Sequence, residues 1–251
     1  MKGLKEKIEE INRPENRKEK ERYVRSLFDG IAPKYDLMNS IMSIGLHNRW
    51  RDSAIRKMGV FPGAYVLDCC CGTADFALAA AKSAGAKGRV LAFDFSTEML
   101  VLAKVKIKEQ AFENIIRPHQ ADALKIPVAD NSFDFATVGW GIRNLSDMKK
   151  GLSEIFRALK PGGKFACLDL GRPVIPVYAQ VFYLSFFYLV PKIGKYVAGN
   201  EEAYAYLPTS LHTFPKQKEL QKMMEDVGFI KTDYTNLLAG AMAIHYGQKP
   251  N

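Results

Sequence analysis

Residues 64–74, AYVLDCCCGTA, constrain the fold of this chain more than any other stretch. A short apolar run ends in Asp68, small residues follow it at once, and a helical pattern begins at Asp75. This order predicts a buried strand, a tight loop and the start of a helix. Nucleotide-like ligands bind at such places because loop N–H groups and the positive end of the helix dipole point into one crevice. Small residues also let a ligand approach the backbone closely.

A second acidic residue supports the prediction of a nucleotide site. The apolar run at residues 90–93 ends in Asp94, and a carboxylate at a strand end is well placed to bind both hydroxyls of a ribose. The loop lacks the G-x-G-x-x-G pattern of dinucleotide-binding proteins, which disfavours an NAD(P) dehydrogenase. Its D-x-C-x-G-x-A spacing resembles the loop of class I S-adenosylmethionine (SAM) methyltransferases. For the loop taken alone, a structural turn without a ligand is the alternative.

Apolar strands alternate with helical patterns, which predicts a mostly parallel sheet with helices on both faces. We expect helices at 75–84, 97–110, 148–159 and 218–227, with a turn at 160–163. We expect strands at 65–69, 90–95, 115–120, 133–138, 164–170, 229–238 and 241–248, the last two forming an antiparallel hairpin at the sheet edge. The expected fold is therefore α/β, the Rossmann-like class I SAM-dependent methyltransferase fold with a seven-stranded sheet.

A change in composition along the sequence divides the chain into an arm and one domain. Residues 1–22 are charge-rich and predict a mobile N-terminal helix or arm, without the apolar core of a secretory signal. Residues 23–251 are expected to form a single methyltransferase domain. Within it, we expect a helical cap at 23–60, broken near 30–33 and at 45, and a SAM-binding core at 61–170. An apolar substrate-side segment and the C-terminal helix and hairpin take up 171–251.

Charge and cysteine content bound the partners and exclude several kinds of site. Lysine and arginine total 36 against 27 acidic residues, so the net charge is +9 and favours anionic partners: nucleic acid, lipid headgroups or an acidic ligand. The four cysteines form no C-x-x-C pair, and we expect them to be small buried residues of a protein in a reducing cytosol. The four histidines are scattered without H-E-x-x-H, so no metal site is predicted.

The most apolar stretch lies at residues 174–190, VIPVYAQVFYLSFFYLV. Its length reaches only the lower edge of what a membrane span needs, and it contains Pro176, Gln180 and Ser185, which disfavours a transmembrane helix. A helix that lines an apolar pocket or lies against the bilayer fits better. A plain buried helix is the alternative.

Several motifs carry a resemblance to a known family. They are APKYDLMNSIMSIGLHNRWR at 32–51, VLDCCCGTAD at 66–75, FDFSTEML at 93–100, ADALKIPVADNSFD at 121–134, GIRNLSD at 141–147, EAYAYLPTS at 202–210 and AIHYGQK at 243–249. The strand–loop motifs alone are typical of class I methyltransferases. Together with KYDLMN, GIRN and YLPTS, they make the chain resemble the ubiquinone/menaquinone biosynthesis C-methyltransferases, which include demethylmenaquinone methyltransferases, from about residue 28 to residue 249.

This resemblance implies SAM-dependent transfer of a methyl group to a ring carbon of a prenylated quinol. The expected acceptor is demethylmenaquinol, giving menaquinol in menaquinone biosynthesis; the alternative is the 2-methoxy-6-polyprenyl-benzoquinol of ubiquinone biosynthesis. A nucleic-acid methyltransferase is disfavoured because N-P-P-Y and D-P-P-Y motifs are absent from the sequence. A non-catalytic SAM-binding scaffold is a further alternative. Nucleic acid is therefore not an expected partner.

Five residues are the expected SAM contacts. Asp94 suits the ribose hydroxyls, and Gly72 and Thr73 suit the methionine end through backbone amides and one hydroxyl. Asp122 and the N–H of Ala123 follow the third strand and suit the adenine, although an ordinary strand-end turn would also explain Asp122.

The loops around these residues depart from the family pattern at two places. Cys70, Cys71 and Ala74 stand where relatives usually have an A-G-G-T-G-D-like loop, and Gly139 stands where relatives often have a serine. The loop substitutes are all small, so we expect binding to survive. Gly139 is left out of the expected site.

Three residues are the catalytic candidates. The chemistry needs a phenolate next to the reacting carbon, and Arg143 is a poor general base because its pKa lies above about 12. We therefore expect Arg143 to stabilise the phenolate, with Asn144 orienting it and Tyr35 contacting the quinol oxygen. A proton relay from Arg143 to water and a purely structural ion pair are the alternatives for Arg143. His245 is expected to be structural.

The excess of basic residues has a function if the acceptor is a quinol that resides in the membrane. We expect a cytoplasmic protein that is peripherally associated with the inner face of the cytoplasmic membrane, because a basic face attracts anionic lipid. The oligomeric state stays open, with a homodimer as one candidate.

Overall fold

The computed structural model describes residues 6, 7, 10, 11, 13–199 and 201–251. Its helices are α1 (Arg17–Ile31), α2 (Tyr35–Met42), α3 (His47–Met58), α4 (Asp75–Ala84), α5 (Thr97–Glu109), α6 (Met148–Ala158), α7 (Pro176–Ala198), α8 (Glu201–Thr213) and α9 (Gln217–Val227). Its strands are β1 (Tyr65–Cys69), β2 (Arg89–Asp94), β3 (Ile116–Gln120), β4 (Phe133–Gly139), β5 (Leu159–Leu170), β6 (Ile230–Leu237) and β7 (Met242–Gln248). Short 3₁₀ turns include Ala32–Lys34 and Ile142–Asn144.

The seven strands form one sheet in the order β3-β2-β1-β4-β5-β7-β6. The first five are parallel, and β7 is antiparallel to both β5 and β6. This confirms the expected class I methyltransferase fold and its edge hairpin. The chain order reverses between β1 and β4, and ligands of such sheets bind at the carboxyl ends of the strands beside that point.

Capping residues explain where two of the helices begin. The Ser96 hydroxyl accepts from the Met99 N–H at the start of α5, and Asp147 accepts from the Lys150 N–H at the start of α6. Both side chains satisfy N–H groups that have no partner within the helix. Helix α3 ends at Gly59, whose left-handed φ of +75° lets the chain turn away from the helix.

The expected turn at 160–163 is wrong in one respect, because these residues belong to the first part of β5. The pairing of β5 with β4 shifts register between Phe133 and Phe135, and Gly162 has a φ of +76°. The glycines therefore form an irregular strand start rather than a separate turn.

The N-terminal helices pack together with α8 in a small core of their own. Val24, Leu27 and Met38 are buried there with Tyr204 and Tyr206. Helix α1 runs across the expected boundary between residues 22 and 23; residues 1–5, 8, 9 and 12 of the expected arm lie outside the described residues. The breaks expected near 30–33 and at 45 separate α1, α2 and α3, as predicted.

The apolar stretch begins a 23-residue helix, α7, which contains Pro191 and ends at Gly199. Within the described part of the chain, no helix combines the length and the hydropathy that a membrane crossing requires. One face of α7 is buried at Phe186, and much of the opposite side is exposed. The helix therefore packs on the domain while presenting apolar side chains outward.

Candidate functional site

Two neighbouring cavities lie at the carboxyl edge of the sheet. The first has a volume of about 670 Å³, within the usual range for ligand sites, and is lined by the loops after β1, β2, β3 and β4 and by α1. The second, of about 260 Å³, lies among α1, α2, α7 and α8. Phe28, Tyr35 and Trp140 line both cavities and so form the wall between them.

Asp94 is fixed at the first cavity by the loop after β1. Its Oδ2 accepts from the Gly72 N–H at 2.8 Å and its Oδ1 accepts from the Ser96 N–H at 2.9 Å. Burial raises the pKa of Asp94 to about 6, and the hydrogen bonds from Ser96 and Gly72 oppose that rise. A carboxylate held in this way keeps acceptor capacity for the vicinal hydroxyls of a ribose.

The loop between β1 and α4 lies close to the cavity because its residues are small. Gly72 has a φ of +54°, and a Cβ added there would lie 3.6 Å from Cε1 of Tyr35. Cys70 has the same φ as Gly72, +54°, and it lines the first cavity. A left-handed conformation is unfavourable for a non-glycine residue, so this chain carries strain at Cys70. All four cysteines are free, and burial raises the pKa of the Cys70 thiol.

Gly141 is required by the side chain of Cys70. A Cβ at Gly141 would lie 2.3 Å from Cβ and 2.9 Å from Sγ of Cys70. The loops after β1 and β4 are thus in direct contact at this edge, and Gly139, which was left out of the expected site, also lines the first cavity.

Thr73 does not line either cavity. Its hydroxyl donates to Oδ1 of Asp36 at 2.6 Å and accepts from Nζ of Lys106 at 3.0 Å. Lys106 also bonds Asp75 at 2.7 Å, and Arg51 pairs with the second oxygen of Asp75 at 3.2 Å. The side chain of Thr73 therefore ties α2, through Asp36, to the start of α4, and positions Tyr35 indirectly.

Asp122 and Ala123 line the first cavity, as the sequence predicts. Oδ1 of Asp122 accepts from the Leu124 N–H at 2.8 Å, which is the geometry of a strand-end turn. The turn and a ligand contact are compatible, because the carboxylate keeps a second oxygen.

Helix α1 closes one side of the first cavity, a contribution that its charge-rich sequence did not reveal. Lys18, Glu21, Arg22 and Arg25 line the cavity. Nζ of Lys20, from the same helix, donates to the Leu145 carbonyl at 2.7 Å. Contacts of this kind depend on where a helix docks, which periodicity alone does not give.

Arg143 lies at the second cavity in a buried ion pair. Its Nη1 lies 2.7 Å from Oδ1 of Asp169, and the two side chains are 3% and 1% exposed. The same Nη1 donates to the Trp140 carbonyl at 2.7 Å, while Nε has no partner in the described part of the chain. Burial raises the pKa of Asp169, and the charge of Arg143 opposes that rise. The ion pair therefore fixes the orientation of the guanidinium, and the Nε–H group of Arg143 remains as an unused donor.

Of the other two catalytic candidates, Tyr35 is part of the wall between the cavities and Asn144 lines the first cavity. Nδ2 of Asn144 donates to the Trp140 carbonyl at 3.0 Å, and its Oδ1 accepts from the Tyr206 hydroxyl at 3.2 Å. Burial raises the pKa of Tyr35, so its phenol stays protonated and can donate. The structure thus brings Tyr35, Asn144 and Arg143 together around Trp140.

His245 lies away from both cavities. Its ring is buried, Nε2 lies 2.9 Å from the Gln217 carbonyl, and burial lowers its pKa to about 4. The neutral ring joins β7 to α9, as expected for a structural histidine.

Comparison with known proteins places the chain among methyltransferases. The model of the ubiE/COQ5 methyltransferase family matches residues 16–249. The demethylmenaquinone methyltransferase of Desulfitobacterium hafniense (strain Y51) is 43% identical over 233 residues, covering 93% of this chain and 92% of the relative. That of Listeria welshimeri is 41% identical over 230 residues, covering 92% and 97%.

Solved structures support the fold. A SAM-dependent methyltransferase from Aquifex aeolicus has a TM-score of 0.58 at 21% identity, covering 79% of this chain and 88% of its own. A SAM-dependent methyltransferase from Thermotoga maritima, described as a possible histamine N-methyltransferase, has a TM-score of 0.63 at 17% identity, covering 90% and 99%. At these identities, the likeness concerns the architecture alone.

Proposed function

The chain belongs to the ubiE/COQ5 methyltransferase family and is a SAM-dependent methyltransferase, and on that premise we propose that it methylates a ring carbon of demethylmenaquinol. One observation carries this proposal: a cavity with a fixed carboxylate, Asp94, adjoins a smaller apolar cavity that contains a buried arginine, across a wall of three aromatic side chains. The first suits the methyl donor, and the second suits a prenylated ring with a hydroxyl.

The first cavity fits SAM by the chemistry of its donors and acceptors. In this proposal Asp94 accepts from the ribose hydroxyls, Asp122 and the Ala123 N–H contact the adenine, and Gly72 lets the methionine end approach the backbone closely. The Gly72 N–H holds Asp94, and Thr73, which lines neither cavity, supports the loop. Bound SAM supplies a methyl group on a positively charged sulfur, which is an electrophile. The residues of the site therefore need only to activate the acceptor, align it and exclude water.

Arg143 activates the acceptor in this proposal. Loss of the proton from the ring hydroxyl raises electron density at the neighbouring carbon, and a phenolate oxygen is stabilised by a buried cation. In this step the hydroxyl proton passes to water, and the carbon–methyl bond forms as the sulfur–methyl bond breaks and leaves a neutral thioether. The C–H proton of the methylated carbon then moves to the ring oxygen, which restores the hydroxyl and the aromatic ring, so that one proton is released in all. Arg143 stays protonated throughout, because its pKa is too high for a base.

The residues at the wall between the cavities orient Arg143 and the acceptor ring. Asn144 is anchored to the Trp140 carbonyl and to Tyr206, so it holds the turn that presents Arg143. Tyr35 lines both cavities and is in position to donate to the ring oxygen. The fixed aromatic walls also keep bulk water from the reacting atoms.

Methyl transfer from radiolabelled SAM tests the proposed acceptor. Short-chain demethylmenaquinol and a short-chain methoxy-benzoquinol are offered in parallel, with Arg143→Ala as the control. We expect label in the naphthoquinol product and its loss in the variant. Label in the benzoquinol alone would transfer the assignment to the ubiquinone-type acceptor. Absence of label from both, with SAM binding demonstrated, would refute a quinol acceptor.

We propose further that the protein contacts an anionic membrane surface through α7. Val177, Val181, Leu184 and Tyr188 are between 57% and 73% exposed on this helix. The second cavity is lined by the neighbouring Tyr178 and Phe182 and by Ile44, which is 80% exposed. A prenyl chain would therefore leave the cavity beside an apolar surface, while the net charge of +9 favours anionic lipid.

Vesicle binding with a matched variant pair tests this contact. Val181→Ser/Leu184→Ser removes two apolar side chains from α7, and Val101→Ser/Val105→Ser removes two similarly exposed ones from α5. We expect weaker binding to anionic vesicles for the first variant only, and a decrease with salt for every variant. Equal binding to neutral vesicles at all salt concentrations would count against the proposal. A homodimer that buries this face instead would sediment as twice the chain mass without lipid.

A further inference from the structure

The second cavity contains polar atoms that the proposed chemistry does not use. Nδ2 of Asn39 and the hydroxyl of Tyr204 are buried, and neither has a partner at full hydrogen-bond geometry in the described part of the chain, although the Asn39 amide lies close enough to the Tyr35 phenol to lower its pKa. The residues are 9% and 1% exposed, and both line the cavity. A buried polar group without a partner costs about 1–3 kcal/mol, so two of them in one cavity point to a ligand that supplies the partner.

Both side chains are held by the elements that form the cavity. Asn39 lies one helical turn after Tyr35 on α2, so the two side chains share a face of that helix. Tyr204 packs against α7 at Gly194, where a Cβ would lie 2.3 Å from Cγ and Cδ2 of the tyrosine ring. The ring of Tyr204 is therefore closely confined, and burial raises its pKa, so its hydroxyl stays a donor.

We propose that Asn39 and Tyr204 bind the second ring oxygen of the acceptor, the one beside the prenyl-bearing carbon. The inference rests on the proposed function, in which Arg143 takes the oxygen beside the reacting carbon. A para-quinol has a second oxygen besides the one that Arg143 takes, and Asn39 and Tyr204 are further polar groups in the otherwise apolar lining of the cavity. The recognised unit is therefore the para-diol, rather than a single phenol.

The test compares two soluble acceptors that differ in one oxygen. One is a short-chain prenylated naphthalene-1,4-diol, and the other is the matching naphthol that lacks the hydroxyl beside the prenyl-bearing carbon. Binding is followed under argon by quenching of tryptophan fluorescence in protein saturated with S-adenosylhomocysteine, because Trp140 lines both cavities. This readout does not depend on turnover.

The wild-type protein should bind the diol about ten-fold more tightly than the naphthol. Tyr204→Phe should lose most of that preference by weakening the diol alone, and its thermal midpoint should not fall, since an unpartnered hydroxyl is removed. Asn39→Leu, of similar volume, should also reduce the preference and serves as an independent variant. Tyr246→Phe, on β7 and outside both cavities, is the matched control and should keep the full preference.

The outcomes separate this inference from the proposed function. If the wild-type protein binds both acceptors equally, or if Tyr204→Phe and Asn39→Leu both keep the ten-fold preference, the second-oxygen site is refuted while methyl transfer stands. If the wild-type protein binds neither acceptor, and labels neither in the transfer assay, the proposed function fails and this inference fails with it.

Discussion

Replacing Arg143 with methionine removes one partner of a buried ion pair and leaves the other in place. The side chains of Arg143 and Asp169 are 3% and 1% exposed, and their atoms lie 2.7 Å apart. Removing one member of such a pair costs about 3–5 kcal/mol, because a carboxylate stays buried without a counter-charge. We therefore expect Arg143→Met to lower the free energy of unfolding by about 3–5 kcal/mol near pH 8.

The loss should shrink as the pH is lowered. Burial already raises the pKa of Asp169, and loss of the guanidinium removes the charge that opposes the rise. The folded variant then binds a proton at a pH where the unfolded chain does not, so protonation favours the folded state. The stability of Arg143→Met relative to wild type should thus be greater at pH 6 than at pH 8.

A double variant separates the structural role of Arg143 from its catalytic role. Arg143→Met/Asp169→Leu removes both charges and should recover most of the lost stability. Recovery will be incomplete by about 1 kcal/mol, since the Leu170 N–H also loses its bond to Oδ1 of Asp169. The folded double variant should still transfer methyl groups at least ~100-fold more slowly than wild type, the usual cost of losing a charge stabiliser.

Urea unfolding at pH 6 and pH 8, followed by circular dichroism, gives the stabilities, and labelled SAM gives the rates. If Arg143→Met is as stable as wild type at pH 8, the ion pair does not have the role assigned to it. If the double variant folds and methylates at the wild-type rate, Arg143 is structural only.

Three further predictions concern the rest of the molecule. Asp94→Asn should weaken binding of S-adenosylhomocysteine by about 10–100-fold in calorimetry, and wild-type affinity should fall as the pH drops through about 6, the pKa of Asp94. Gly141→Ala should lose about 1–3 kcal/mol of stability, because its Cβ would overlap Cys70. The buried neutral His245, whose pKa is about 4 in the fold against about 6.5 unfolded, should cost about 2 kcal/mol of stability between pH 7 and pH 5.

Each of these predictions has a contrasting variant or condition. Cys70→Gly should rescue most of the loss in Gly141→Ala, since it removes the two closest atoms and leaves only Cγ1 of Val138, at 3.1 Å from the new Cβ; failure of the rescue would locate the strain elsewhere. His245→Gln should flatten the loss of stability between pH 7 and pH 5, and an unchanged slope would exclude His245 as its source. An Asp94→Asn protein with wild-type affinity would remove Asp94 from the donor site.

The arrangement of the sheet was accessible from the sequence because its signals are local and repeated. β1, β2 and β4 are short apolar runs that end in loops, and the crossovers β1–β2, β2–β3 and β4–β5 have helical periodicity, whereas β3 is mostly polar and reaches β4 without a helix. Asp94 and Asp122 follow directly, since the carboxyl ends of parallel strands share one edge of the sheet. The turn expected at 160–163 was wrong because glycines such as Gly162 and Gly163 are typical both of turns and of irregular strand starts.

The parts of the site that were missed depend on contacts between distant elements. Asp169 is the penultimate residue of the strand β5, and nothing local shows that it pairs with Arg143. The YLPTS region was noticed as a motif, but the unpartnered hydroxyl of Tyr204 becomes visible only when α7 and α8 are packed together. Thr73 is an expected donor contact because of its hydroxyl, its amide and its place in the family motif, whereas in the fold its hydroxyl donates to Asp36 from the helical cap.

The central claim is that the two cavities hold the donor and the acceptor on either side of Tyr35 and Trp140. A crystal structure of the protein with S-adenosylhomocysteine and a short-chain quinone analogue tests this most directly. The account predicts the thioether in the cavity of Asp94 and the ring in the cavity of Arg143, with an unsubstituted ring carbon facing the sulfur past Trp140. A ring bound outside the second cavity, or a donor bound away from Asp94, would contradict it.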